Sequence, residues 1–190
     1  MAFCTTRARF ATGWFLGGNR ERFAAMTTAA GAPVGVLASL GDEPVGWGAC
    51  GPRSRYADSP RSTLLHGRPR AEDDRVWFVP CLFVASTHRG RGVTYALVRA
   101  AVDLARHRGA VAVEAWPRAG STRDAAGGFL GREKVFADLG FRTVDHPAPD
   151  RVIVRLELGS VEDQPGYGAG TVPASPSVAA ARRGTATSSR

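Results

Sequence analysis

Residues Val76 to Leu104, VWFVPCLFVASTHRGRGVTYALVRAAVDL, leave this chain few choices of fold. The stretch opens on a near-continuous apolar run from Val76 to Ala85, the pattern of a strand buried on both faces. It closes on Val93, Ala96, Leu97, Ala100, Ala101 and Leu104, spaced at i, i+3, i+4, i+7, i+8 and i+11, the apolar stripe of an amphipathic helix. Between them stands Arg89-Gly90-Arg91-Gly92-Val93-Thr94, where the N–H groups of a helix start have no intrahelical acceptor. Two glycines let an anion approach that backbone, and the arginines and the helix dipole favour its charge. The stretch reads as a strand feeding an anion-binding turn on a helix.

Other glycine turns carry signatures that are absent here. A P-loop requires Gly-Lys-Ser/Thr at its end, and neither that triplet nor a nearby lysine is present. A dinucleotide fingerprint, G-x-G-x-x-G, fails because Tyr95 stands at the third glycine. On the hexapeptide alone, a glycine turn with solvated arginines explains the residues equally well.

The surrounding residues break the tie. Val84 lies five residues before Arg89, and the turn matches R-x-x-G-x-G/A except for Thr94 at its last position. This resembles the acetyl-CoA-binding motif of the GNAT N-acetyltransferase superfamily. The resemblance runs from about Gly35 to Leu158, with a second landmark at Val135-Phe-Ala-Asp-Leu-Gly-Phe141 that is similar to the family's closing helix followed by Gly-Phe. PVGWGACGPRSRY, VWFVPCLFVA and VEAWP look like a bacterial branch of the superfamily. The resemblance implies an α/β fold: a mixed, mainly antiparallel sheet with a central parallel, splayed strand pair flanked by helices. Little room is left for the family's first edge strand, so that strand is expected to be missing or the chain to start late.

Composition narrows the remaining classes. At 190 residues one domain with an appendage is expected, residues 1–158 forming the domain and 159–190 a tail. Cys4, Cys50 and Cys81 are an odd number without paired spacing, and His66, His88, His107 and His146 add no ligand spacing, so no disulfide framework or metal site is expected. A reducing cytoplasm is the simple reading. No stretch reaches membrane-spanning length, and residues 2–18 lack the unbroken apolar core of a signal peptide. The net charge of +8 invites a nucleic-acid reading, but the basic residues are spread along the chain with no basic run and no aromatic–basic interleaving. Nucleic-acid binding is kept as a minor alternative.

In chain order, residues 1–17 are too apolar for a loose tail, yet Gly13, Gly17 and Gly18 discourage a long helix. Asn19 can cap a short helix through Thr28, with Phe23 and Met26 on its inner side. Val34–Leu40 and Val45–Cys50 read as a hairpin across Gly41-Asp42-Glu43-Pro44. Residues 51–75 read as a long loop with a helical turn near Ser62–Leu65, placed where family members shape the amine pocket. Gly109 stops the core helix, and Val111–Trp116 is a short strand interrupted by Glu114, giving a right-handed crossover between parallel neighbours. A polar loop, Pro117–Gly128, leads to a short helix around Val135, Phe136 and Leu139. Phe141–Val144 and Val152–Leu158 make a last antiparallel pair across a turn at His146–Asp150. From Gly159 onward, Gly, Ala, Ser and Pro dominate, and the tail is expected to be disordered and dispensable because it buries too little to offset its ordering entropy.

The resemblance then implies chemistry. The strands ending near Val84 and Trp116 would splay, the backbone of Phe83 and Val84 would pair with the pantetheine arm of acetyl-CoA, and the amides from Arg89 through Gly90, Arg91, Gly92 and Val93 to Thr94 would hold the pyrophosphate. A primary amine would attack the thioester directly through a tetrahedral intermediate after losing a proton to a base. Glu114 falls where some family members carry that base; pairing with an arginine is its equally weighted alternative. Phe136 occupies the family's frequent tyrosine position, so that acid is absent. Cys81 reads as a small buried apolar residue. The function implied is acetyl-CoA-dependent N-acetylation of a small-molecule or protein amine. The alternative is an acyl-CoA-binding protein without transferase activity, and a homodimer is left open.

Overall fold

The computed structural model of the chain describes residues 18–29, 33–56, 65, 67–120, 130–159 and 178–180. Helix α1 (Asn19–Ala29) leads into the hairpin β1 (Gly35–Leu40) and β2 (Glu43–Pro52). Single helical turns at Arg53–Tyr56 and Arg70–Glu72 precede β3 (Val76–Val84), and another at Ser86–His88 precedes α2 (Val93–His107). Strand β4 (Ala112–Ala115), helix α3 (Glu133–Asp138) and the hairpin β5 (Arg142–Ala148) and β6 (Arg151–Glu157) follow, with a last strand, β7 (Val178–Ala180). The strands form one open sheet in the order β5-β6-β4-β3-β2-β1-β7, antiparallel throughout except for the parallel pair β3–β4.

Helix α2 covers one face of this sheet. Leu97, Val98, Ala101 and Ala105 are fully buried against Trp77, Val79, Leu82, Val113 and Ala115. Each fully buried Leu or Val stabilises the domain by about 1.5–3 kcal/mol. The helix can come this close because β2 carries glycine where the two elements meet. A Cβ on Gly46 would stand 2.9 Å from a Val93 methyl and 3.2 Å from one of Leu97, and one on Gly48 would touch the Leu97 Cβ at 3.7 Å. On the other face Tyr56, Phe78, Trp116, Leu130 and Ile153 form a smaller cluster, with Leu65 and Cys81 packed on it. Phe78 meets Trp116 edge to face at 5.0 Å.

The expected elements are found with shifted ends. The β1–β2 turn contracts to Gly41-Asp42, and the β5–β6 turn to Pro149-Asp150, so His146 lies in a strand with shifted register rather than in the turn. Residues 1–17, Ser62 to Leu64 and residues 121–128 of the polar loop lie outside the described residues.

Beyond Gly159, three residues of the expected tail are described. Val178, Ala179 and Ala180 pair antiparallel with Ala38, Leu37 and Val36, so part of the segment expected to pack on nothing borders the sheet at β1. The physical reason is that an edge strand presents a row of unpaired N–H and C=O groups, and backbone pairing needs no large side chain. A chain ending at Gly159 loses this ladder, worth roughly 1–2 kcal/mol at about 1 kcal/mol per net hydrogen bond. It should melt several degrees below the full-length protein. An unchanged melting temperature in calorimetry would show that β7 adds nothing to stability.

Candidate functional site

The parallel pairing of β3 and β4 is brief. Val76–Val79 lie opposite Ala112–Ala115, and there the two strands part. Beyond Ala115 the chain follows β6 instead: Val152 N–H donates to Pro117 C=O (3.3 Å) and Ala119 N–H to Asp150 C=O (3.2 Å). Strand β3 meanwhile stays with β2 through Val84. The Trp116 indole Nε1–H reaches back to Pro80 C=O (3.0 Å) and closes the bottom of the gap.

The edge of β3 that faces this gap follows from the β2 ladder. Ala85 N–H donates to Val45 C=O (2.9 Å), and Val84 lies opposite Gly46. Bonded and non-bonded pairs alternate in an antiparallel ladder. Phe83 therefore directs its N–H and C=O at Trp47, while Leu82 and Val84 turn theirs to the gap. Of the two backbone positions expected there, Val84 faces the gap and Phe83 faces β2; Leu82 faces the gap as well, and the parity of the β2 register is the signal for it. The Phe83 side chain is 43% exposed. Arg89 Nε–H donates to Val84 C=O (3.2 Å), so this arginine caps the end of β3.

Arg89 to Thr94 sit at the mouth of the gap. Gly90 and Gly92 have φ of +75° and +77°, a region where L side chains are strained, and a Cβ on either would meet nothing within 4 Å. Gly92 is the N-cap of α2 and no side chain caps the helix. The first bond across its start runs from Ala96 N–H to Gly92 C=O (3.2 Å), leaving the amides of Val93, Thr94 and Tyr95 without an intrahelical acceptor. Arg91 is exposed and Val93 and Thr94 are half-buried. A left-handed glycine turn on an uncapped helix start, open in front, fits a diphosphate.

Glu114 lies just before the parting point and is fully buried. Arg53 Nη1 donates to its Oε2 (2.8 Å). Its Oε1 accepts from Arg68 Nη2 (2.5 Å), Arg68 Nε (3.1 Å) and Arg155 Nη1 (3.0 Å). Burial alone would raise its pKa, but the hydrogen bonds and charges of Arg68 and Arg53 outweigh it and hold the carboxyl below its ordinary value of 4.5. A carboxylate so engaged is a weak proton acceptor. The surrounding acids are engaged too: Asp73 binds Arg53 Nε (2.6 Å), and Glu72 and Glu157 bind Arg155. Of the loop acids, Asp74 is exposed and Asp58 lies outside the described residues. Sequence reading singled out neither Arg53, Arg68 nor Arg155, because their partner lies 41 to 61 residues away along the chain.

Phe136 is fully buried, edge to face with Phe141 at 5.3 Å. Its ring lies under Gly131, where a Cβ would stand 2.9 Å from its Cε2 and 3.1 Å from a Leu82 methyl. Cys50 is buried, which pushes its thiol up to about 12, and neither it nor the half-buried Cys81 is in a disulfide. Among the described residues no group of three or more His, Cys, Asp or Glu side chains could hold a metal ion. No helix among them is long and apolar enough to cross a membrane.

Comparison with known proteins bears on these features. The chain resembles solved structures of low sequence identity. A ribosomal-protein-alanine N-acetyltransferase from Brucella melitensis is 21% identical with a TM-score of 0.50, over 74% of this chain and 77% of the other. YncA from Salmonella typhimurium, solved with its cofactor acetyl-CoA, is 17% identical with a TM-score of 0.51, over 80% and 78%. An N-acetyltransferase from Staphylococcus aureus Mu50 is 14% identical with a TM-score of 0.50, over 74% and 76%. At such identities the likeness is one of fold. No curated protein matches the sequence. The acetyltransferase (GNAT) family model matches residues 6–129, more than half of the chain. Acetyl-CoA is that family's acetyl donor. The parted parallel pair and the glycine turn beside it are thus set in a chain that belongs to the GNAT acetyltransferase family.

Proposed function

We propose that this protein is an acetyl-CoA-dependent N-acetyltransferase that modifies a primary amine, of a small molecule or of a protein, by direct attack on the thioester. The observation that carries the reading is the gap between β3 and β4, opening beyond Val79 and Ala115 with the Gly90–Gly92 turn at its mouth. When bound, acetyl-CoA supplies the activated acetyl group. The chain's own residues bind and orient it. The outward N–H and C=O groups of Leu82 and Val84 offer an added strand its pairing. The amides at the start of α2 and the exposed Arg91 offer a diphosphate its donors. Neither Cys50 nor Cys81 is in a disulfide, which suits a reducing cytoplasm, where we place the protein.

An alkyl ammonium, with a pKa around 10, must lose a proton before it can attack. The contacts of Glu114 support its ion-pair role over that of the base, which leaves water or an exposed carboxylate such as Asp74 to take the proton. The departing thiolate is the other proton demand. A thiol titrating near ~8.5 leaves readily as the anion near neutral pH, so the absence of a tyrosine at Phe136 is tolerated. The acyl-CoA-binding alternative predicts the same binding without turnover. Thiol release with a panel of amines separates the two.

Gly92→Glu should abolish acetyl-CoA binding in calorimetry, because its carboxylate takes the phosphate's place and an L residue at φ +77° adds about 1–2 kcal/mol of strain. Arg89→Ala should weaken binding less, since most donors there are backbone; unchanged affinity in Gly92→Glu would sink the donor site.

Phe136→Tyr should not raise turnover. It should lower stability by about 1–3 kcal/mol, because the ring is fully buried beneath Gly131 and a hydroxyl there is desolvated. A faster enzyme with unchanged melting temperature would show that the new hydroxyl reaches the thiol.

Glu114 has its pKa depressed, so its contribution to stability is fully present above 4.5 and is lost as pH falls through the lower folded value. The melting-temperature gap between wild type and Glu114→Gln should therefore be widest near neutrality and narrow as pH falls below 4.5. Were Glu114 the base, Glu114→Gln would instead lose roughly two orders of magnitude in turnover and recover as pH rises.

A further inference from the structure

We infer that Glu114 is a positioning residue: with Arg53 and Arg68 it ties the two described ends of the segment that follows β2 to β4, one residue before β3 and β4 part, and so shapes the acceptor side of the cleft. The word acceptor rests on the acetyl-transfer reading; the tie does not.

Both described ends of the segment converge on this one carboxylate. At the near end, Arg53 is fully buried and reaches Glu114, Asp73 Oδ1 (2.6 Å) and Pro69 C=O (2.5 Å) at once. At the far end, Arg68 makes two bonds to Glu114 Oε1. Ser54 N–H donates to Asp73 C=O (3.0 Å), which joins the two ends directly. Arg155 on β6 holds the carboxylate from the opposite side and links it to Glu72. Glu114 thus bridges β4, β6 and the segment.

Its place in the sheet gives the tie its reach. Glu114 pairs with Phe78, one residue before the last β3–β4 pair, and Trp116, two residues on, closes the bottom of the gap. Tyr56 and Leu65, near the two ends of the segment, pack on the cluster of Phe78 and Trp116. A fixed carboxylate at this point therefore holds both described ends beside the place where β3 and β4 part. Guanidinium suits the task, because its planar fork bonds in fixed directions where an ammonium would act as a point charge. Loops carried in this way on a rigid sheet are where selectivity is built.

Arg68→Met tests this without stranding the carboxylate, since Glu114 keeps Arg53 and Arg155. Hydrogen exchange on the full chain should show amides 68–75 losing protection at least tenfold, with β3 and α2 unchanged. Acetyl-CoA affinity in calorimetry should stay within twofold. With a free-amine peptide, spermidine and an aminoglycoside as acceptors, the KM of whichever is used should rise about five- to tenfold or more, with a smaller change in kcat. Arg68→Lys should recover part of that loss. Unchanged exchange in Arg68→Met would overturn the tie. Looser exchange with an unchanged acceptor KM would overturn its role in the cleft. Should the wild-type protein release no thiol with any amine, the acetyl-transfer reading fails, while the exchange result still decides the tie.

Discussion

The architecture depends on one strand serving two neighbours in turn. Strand β4 is only four residues long, and all four are paired with β3 on one side and β6 on the other. Past Ala115 its continuation keeps to β6 through Pro117 and Ala119. Buried backbone groups must be paired or solvated, so β3 beyond Val79 is left with an edge that wants a partner. Val84 finds part of one in Arg89, and Pro80 finds one in the Trp116 indole. Leu82 and Val84 still present a strand-like edge to the gap. A backbone edge is generic in chemistry but specific in place, which suits it to an extended arm common to a whole family rather than to a variable acceptor.

A second constraint sits beside the first. Burying a carboxylate completely costs several kcal/mol unless opposite charges and hydrogen bonds compensate it, and removing one partner of such a pair commonly costs more than the pair contributes. Here three arginines compensate Glu114, and Asp73, Glu72 and Glu157 in turn compensate the arginines. The network is costly to build and costly to break, so its use is in specificity of arrangement more than in stability. It also accounts for some of the arginines in a chain of net charge +8 without invoking nucleic acid. Those in the cluster face inward.

Much of the fold was legible in the residues. The run from Val76 and the 3.6-residue stripe from Val93 to Leu104 located β3 and α2 to within three residues, because local periodicity and burial agree there. Gly90 and Gly92 were readable as backbone requirements, and both have positive φ. The hairpins were readable from turn residues, while their ends moved because register is settled by cross-strand packing. Val178–Ala180 carries no such signal: three small residues amid Gly, Ser and Pro acquire a place only once the edge of β1 exists to receive them.

Sequence by itself therefore determined the strand–turn–helix unit, the glycine turn and the order of elements, since each follows from local period, φ preference and solvent exposure. Tertiary structure alone decided which backbone groups face the gap. That depends on the parity of β3 against β2, and a shift of one residue exchanges Phe83 with its neighbours. It also decided what Glu114 touches. A carboxylate interrupting an apolar strand reads equally as a proton acceptor or as an anchor. The difference lies in whether guanidinium groups from distant residues arrive within hydrogen-bond reach, and here Arg53, Arg68 and Arg155 all do.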